Sequence, residues 1–286
     1  MSYHNHPHYC DGSGTVAEYA EAAVASGLDS LGLSCHAPVP FPSEWNMPLH
    51  SLHAYCAEVA EAQVAYRGKL RLFLGVELDY LAPDLIPEGE AFQREHVLTQ
   101  PLDYVVASVH FVGRDPSGVP WTIDWTEESF ARQLEEIYRG DVRRLVREYY
   151  RHVAAMAEVA PRWGLPVIVG HLDKIKMWNI DGRYFPEDAP WYRASVETAL
   201  QAIRAAGLVV EINTAGLRTE HGEPYPAPWI LRRCRDLGIP ITVSSDAHKP
   251  EDVVAQFPEA LAILRDVGYT EVAALEGRRW TLRPFA

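Results

Sequence analysis

Six histidines and two carboxylates in this chain each follow a short β-branched or leucine-rich run: His4, His6, His36, Glu77, His110, His171, Asp246 and His248. Imidazole nitrogens and carboxylate oxygens are the donors that zinc, manganese and iron accept. His4 and His6 stand two apart, and on a strand residues i and i+2 face the same way. Both imidazoles can therefore reach one ion. Asp246 and His248 repeat that spacing and could face one cavity. Glu77 closes the apolar run 70–76, where an unpaired charge is costly to bury. It reads either as a capping or salt-bridged carboxylate or as a bridge between two metals. Taken together the set points to a polynuclear metal site.

Such a site needs elements that deliver these residues to one place. Extended runs are expected at 2–6, 29–35, 70–76, 103–109, 166–170, 208–212 and 239–245. Helices are expected at 15–26, 49–66, 127–162 with a break near Gly140, 190–206, 228–237 and 250–267. Thr15 sits where an N-cap belongs, and Gly27, Gly164, Gly207 and Gly238 sit between a helix and the next strand, as helix-ending glycines do. Segment 82–100 reads as irregular and then helical. Loops 37–48 and 111–126 remain long, and the four prolines of the first suit a lid or pocket wall. The repeated strand–helix alternation predicts an α/β chain forming a single distorted barrel of about seven strands over residues 1–286. In a parallel barrel the strand ends share one rim, and their residues converge there. An open doubly wound sheet would gather ligands at one switch point instead.

The chain has 286 residues, a hydrophobic fraction of 48% and a formal net charge of −13. That balance argues against broad nucleic-acid binding, which needs a basic footprint. No run approaches the roughly 20 apolar residues of a membrane span. The first extended run already carries His4 and His6, so a cleaved leader would remove ligands, and a cytoplasmic protein is expected. Cys10, Cys35, Cys56 and Cys234 show no CxxC spacing and are expected as reduced thiols. Cys10 and Cys35 read as small packing residues. His50, His53, His96, His152 and His221 read as surface or packing histidines. Oligomeric state is not legible.

In order along the chain, several motifs resemble the polymerase-and-histidinol-phosphatase (PHP) superfamily. They are His4 and His6 with Cys10, Asp11 and Gly12; Ser34, Cys35, His36 and Ala37; Glu77; Ser108, Val109 and His110; Gly170 to Asp173; and Ser245 to His248. The Asn-Thr-Ala-Gly-Leu-Arg stretch at 213–218 is similar to the monofunctional histidinol-phosphate phosphatases of that family. The resemblance implies a TIM-like, distorted (β/α)7 barrel with two to three divalent transition-metal ions, zinc, manganese or iron. It implies a first ion on His4, His6, Glu77 and Asp246. It implies a second on Glu77, His110 and His171, and a third on His36, His248 and one first-loop residue. Many relatives have a histidine where this chain has Gly12. Asp11 is taken as the substitute, with His8 as the fallback.

The resemblance also implies a substrate, L-histidinol phosphate, hydrolysed to L-histidinol and phosphate in histidine biosynthesis. Clustered cations lower the pKa of a bridging water and neutralise phosphoryl charge, so a metal-bridging hydroxide would attack phosphorus. Asp246 or His248 would relay a proton to the leaving alkoxide. A phosphomonoester also needs fixed positive charge, for which Arg218, Lys174 and Lys176 are the candidates. Trp45, Phe111, Trp178 and Tyr225 lie in rim loops and could enclose an imidazole. The alternatives are a phosphatase or phosphodiesterase of the same superfamily acting on another small ester or nucleotide, an amidohydrolase-type barrel, and a non-catalytic metal-binding domain. The amidohydrolase type usually needs a bridging lysine, and no lysine ends a strand here.

Overall fold

A computed structural model describes residues 1–285, so Ala286, part of the expected single domain, lies outside the described residues. In chain order the elements are α1 Val16–Ala25, β1 Ser30–Leu33, α2 Leu52–Ala65, β2 Arg71–Asp79, α3 Gly89–Phe92, β3 Tyr104–Ser108, β4 Phe111–Arg114, β5 Pro120–Thr122, α4 Glu127–Tyr138 and α5 Val142–Val159. There follow β6 Val167–Val169, α6 Pro190–Ala206, β7 Val209–Asn213, α7 Pro228–Asp236, β8 Ile241–Ser244, α8 Phe257–Val267, β9 Glu271–Glu276 and β10 Arg279–Pro284. Six strands form one sheet in the order β1-β2-β3-β6-β7-β8. All five pairings are parallel, so the sheet curls as a half-barrel with helical crossovers outside. No helix among the described residues is long and apolar enough to cross a membrane.

Local chemistry explains the boundaries. Thr15 caps α1 in a reciprocal box with Glu18, which satisfies two orphan amides. Gly27, Gly164, Gly207 and Gly238 have φ of +74°, +68°, +65° and +70°, the left-handed turn that ends a helix. Arg139 takes φ +54° after α4, which breaks the long helical segment where Gly140 suggested.

The strands alternate strictly. Leu72, Leu74, Val76 and Leu78 of β2 pack in the main core, whereas Phe73 packs in a second cluster with Tyr3, Tyr104, Val106, Ile168 and Leu275. Glu77 and Asp79 share the parity of Phe73, and so lie on the same face of the strand. The N-terminal run lies between the two edges of the sheet. Gly32 and Ser34 donate to the carbonyls of Ser2 and Asn5, each at 2.8 Å, and His6 donates to Ala247 at 2.8 Å.

Several expectations are corrected. β2 does not stop before Glu77 but runs to Asp79, because Leu78 and Asp79 keep pairing with Ala107 and Ser108. Loop 111–126 contains the antiparallel pair β4–β5. The last crossover helix begins at Phe257, after a 3-10 turn at Pro250–Asp252 and a left-handed Gln256. The β9–β10 hairpin was not anticipated. It plugs the end of the sheet opposite the histidines: Leu275 donates its amide to Tyr3 Oη at 2.9 Å, and the Trp280 ring lies 5.7 Å from that of Tyr3.

Tyr104 fills the space that glycines leave. A Cβ on Gly75 would stand 2.4 Å from the Tyr104 ring, and one on Gly32 would stand 2.3 Å from its hydroxyl. Tyr104 is fully buried and donates to the Tyr3 carbonyl at 2.6 Å, so it has little room to retreat. Gly75→Ala is expected to destabilise the fold by about 1–3 kcal/mol through overpacking. Urea unfolding at fixed metal concentration checks this, and an unchanged midpoint would show that Tyr104 can move aside.

Candidate metal centre

Glu77 is fully buried, and its two oxygens face different histidines. Oε1 lies 2.9 Å from His171 Nε2 and 3.6 Å from His110 Nε2. Oε2 lies 2.8 Å from His36 Nδ1, 3.2 Å from His4 Nε2 and 3.6 Å from His6 Nε2. Asp246 Oδ1 joins from the far side, 3.2 Å from His6 Nε2 and 3.6 Å from His4 Nε2. Asp11 Oδ1 lies 3.4 Å from His248 Nε2 and 3.6 Å from His36 Nε2. Four overlapping donor groups result: His6, Asp11, His36 and His248; His4, His171 and Asp246; His4, His6 and Glu77; His36, Glu77 and His110. Every sequence-derived ligand candidate except His8 belongs to one. His8 is exposed and rests its Nδ1 on the Gly14 carbonyl.

The donor set fits divalent ions. His4 Nε2, His6 Nε2, His36 Nδ1 and Glu77 Oε2 are buried without a hydrogen-bond partner, although they crowd one another. Such orphaned atoms are costly unless a cation meets them. His110 Nε2 and His171 Nε2 face each other at 3.2 Å. Two basic nitrogens at that distance need a proton or a metal ion between or beside them.

A second layer of side chains aims the rings. Glu211 accepts from His4 Nδ1 at 2.9 Å, and Asp79 accepts from His110 Nδ1 at 2.7 Å. A ring that donates from Nδ1 keeps its Nε2 lone pair for the centre. His248 Nδ1 rests on the Asp246 carbonyl at 3.2 Å, and Cys10 Sγ lies 3.5 Å from His6 Nδ1. Asn213 donates to both Glu211 at 2.8 Å and Asp246 at 3.1 Å. Ser108 donates to Glu77 at 2.6 Å. Asp246 itself has φ +53°, an uncommon conformation for a residue with a side chain. Arg218 braces that turn, donating to the Ser245 carbonyl at 2.9 Å and the Asp246 carbonyl at 3.3 Å.

The electrostatics agree with the geometry. Burial opposes charge on Glu77, but His4, His36 and His110 outweigh it and hold the carboxyl well below its usual range. Burial likewise opposes charge on His110, yet Asp79, Asp124 and Glu77 raise its pKa to about 10. The centre thus stabilises positive charge, whether a proton or a metal ion supplies it.

The centre opens on a cavity of about 170 Å³ lined by Asp11, His36, Glu77, His110, His171, Asp246 and His248, together with Trp45, Asp124, Trp125 and Lys174. Lys174 therefore reaches the cavity. Lys176 does not, which corrects its expected contact with substrate. Lys176 is fully buried, and its ammonium is spent on Asp173 at 3.3 Å and Glu223 at 3.1 Å. Arg218 is not among the cavity-lining residues either. Of the aromatic rim candidates, Trp45 lines the cavity and Phe111 stacks behind it at 5.4 Å. Tyr225 lies beneath the Lys174 ammonium at 5.4 Å. Trp178 donates instead to the Ile123 carbonyl at 3.1 Å.

The sequence reading missed Asp79, Glu211 and Asp124. Period-2 alternation marks the first two, since Asp79 and Glu211 share a face with Glu77 and Asn213 respectively. Asp124 lies in a loop, where no periodicity marks it.

Glu77→Ala is expected to lower bound metal, because it removes the group that faces both halves of the centre. Metal analysis after dialysis checks this, and undiminished metal content would contradict it. Glu211→Gln is expected to weaken metal affinity by about 10–100-fold through loss of ring orientation. Competition with a chelator reads that change, and an affinity equal to the parent would sink the orienting role.

The chain matches the PHP domain model over residues 2–215. It is 36% identical over 268 residues to the probable histidinol-phosphatase of Deinococcus radiodurans, covering 93% of this chain and 92% of that protein. It is 29% identical over 261 residues to the histidinol-phosphatase of Bacillus subtilis, covering 87% and 94% respectively. Its fold is similar to the crystal structure of histidinol phosphate phosphatase from Lactococcus lactis complexed with zinc, L-histidinol and phosphate, with a TM-score of 0.68, 20% identity and 98% of each chain covered. A match across three quarters of the chain, a span that includes Glu77 and the five histidines around it, shows that the chain belongs to the PHP domain family.

Proposed function

We propose that this chain is a metal-dependent phosphomonoesterase that hydrolyses L-histidinol phosphate to L-histidinol and phosphate, in histidine biosynthesis. The observation that carries the reaction class is Glu77, one buried carboxylate with imidazoles gathered at each oxygen. The substrate reading is supported by relatives named histidinol-phosphatase that align over about nine tenths of the chain. In this reading residues 1–286 form one domain, and the N-terminal run serves as the seventh stave of a distorted (β/α)7 barrel.

His4, His6, Glu77 and Asp246 would hold one ion, and Glu77, His110 and His171 a second. His36, His248 and Asp11 would hold a third, with His6 beside them. Zinc, manganese and iron all suit these donors. When bound, such ions lower the pKa of a water and neutralise phosphoryl charge. The chain's own residues do the rest. Lys174 presents a fixed cation to the phosphoryl oxygens from the cavity wall. Burial opposes that charge, but Asp124, Tyr225 and Asp246 outweigh burial and hold the ammonium above its ordinary pKa. Trp45 excludes water on the side of His36, whose ring it meets at 4.6 Å. Asp246 accepts from Asn213 on one oxygen and faces His4 and His6 with the other, so it has little freedom to carry a proton. His248 is 38% exposed at its side chain, and with its Nε2 free of the third ion it is the better placed of the two to pass the leaving group's proton to and from solvent.

The test is phosphate release from L-histidinol phosphate, a panel of other monoesters and one diester, with enzyme reconstituted separately with manganese, zinc and iron. A preference in kcat/KM for L-histidinol phosphate is expected. Release without that preference would discard the biosynthetic assignment and keep the chemistry. Cleavage of the diester alone would discard both.

A further inference from the structure

The cavity holds one carboxylate that belongs to none of the donor groups around Glu77. Asp124 lines the cavity beside Lys174. Its Oδ1 accepts from Thr122 Oγ1 at 2.6 Å. Its Oδ2 lies 3.7 Å from Lys174 Nζ and 3.8 Å from His110 Nε2, both beyond hydrogen-bond length. That oxygen makes no hydrogen bond among the described residues, and the side chain keeps 19% of its surface open. Lys174 and His110 balance the charge of this half-buried carboxylate without bonding to Oδ2, so that oxygen can still accept a hydrogen bond from a molecule in the cavity.

The space beside Asp124 has the shape of a leaving-group site. At about 170 Å³ the cavity is smaller than the roughly 300–1,000 Å³ of small-molecule pockets. It shares Trp45 and Trp125 with an adjoining groove of about 260 Å³, lined also by Phe41, Phe111 and Thr122. The two spaces together fall within that range. Trp125 is 54% exposed at this junction, a large apolar surface left open to solvent. Thr122, which fixes Oδ1 of Asp124, belongs to the groove wall. Lys174, an anion-seeking group, and Asp124, a cation-seeking group, thus stand side by side between the metal centre and a groove walled by aromatic rings and by Glu44.

We propose that Asp124 is a specificity-determining residue. Its Oδ2 accepts from an N–H of a cationic alcohol moiety, while Lys174 meets the phosphoryl oxygens and Trp45 and Trp125 flank the leaving group. The proposal rests on the phosphomonoesterase reading above and adds the residue by which the site selects a leaving group that carries an ammonium or imidazolium. A neutral or anionic leaving group would leave Oδ2 unpaired or repelled.

Two monoesters of similar size separate the possibilities, 2-aminoethyl phosphate and propyl phosphate, run with manganese-loaded enzyme as the parent and as Asp124→Asn. The parent is expected to favour the amino ester in kcat/KM by about tenfold or more, the worth of one hydrogen bond to a charged group. Asp124→Asn is expected to remove most of that ratio. Thr122→Val, which frees the carboxylate that Thr122 pins, is expected to shrink it in the same direction. Calorimetry gives a second readout: L-histidinol should bind the parent in the presence of inorganic phosphate, and bind Asp124→Asn at least tenfold more weakly. Equal rates on the two esters in the parent would overturn the proposal while leaving the phosphatase reading standing. An undiminished ratio in both variants would also overturn it. No phosphate release from either ester or from L-histidinol phosphate would remove the phosphatase reading, and this proposal with it.

Discussion

A carboxylate buried among imidazoles is the constraint on which this molecule turns. Glu77 has no exposed surface, and its oxygens are approached within 3.6 Å by five histidines. An ionised carboxylate away from water is destabilising by several kcal/mol unless positive charge compensates it. The fold therefore has to bring cations, or groups that bind cations, to both of its oxygens. His4 and His6 come from the N-terminal run, His36 follows β1, His110 follows β3 and His171 follows β6. No two neighbouring elements could supply the set alone, so the curled sheet is a requirement of the site as well as its scaffold.

The supporting residues follow from the same constraint. An imidazole that donates from one nitrogen is held with the lone pair of the other aimed at an ion. Glu211 and Asp79 are the acceptors for His4 and His110. Both carboxylates sit on strands that pair within the same sheet, so strand register sets ring orientation. The opposite end of the sheet is closed by apolar contact. Tyr3, Tyr104 and Leu275 form a plug that keeps the N-terminal run, and with it His4 and His6, at a fixed depth.

The ligand-type residues and the parallel strands were legible because two periodicities are strong here. Alternation within strands put His4 beside His6, and glycines at helix ends marked most crossovers. The end of β2 was misread because Glu77 looked like a stop. A charged residue can stay inside a strand when Asp79, two positions on, is itself held by His110 and Asn46. The β9–β10 hairpin was invisible because its one apolar run, Val272–Leu275, is only four residues long, its second strand carries the charged Arg279 and Arg283, and it covers Tyr3, a residue far away in sequence. Lys176 was misplaced for a related reason. Its partners Asp173 and Glu223 neutralise it inside the protein, and Asp173, three positions earlier, is the one local sign that Lys176 turns away from the cavity.

In the proposed reading Glu77 bridges two ions. Anomalous diffraction from crystals of the manganese-loaded protein tests it most directly. One ion is expected on each Glu77 oxygen, one shared with His4, His6 and Asp246 and the other with His110 and His171. Ions that leave Glu77 without a metal contact, or a single ion bound by only one of its oxygens, would contradict it.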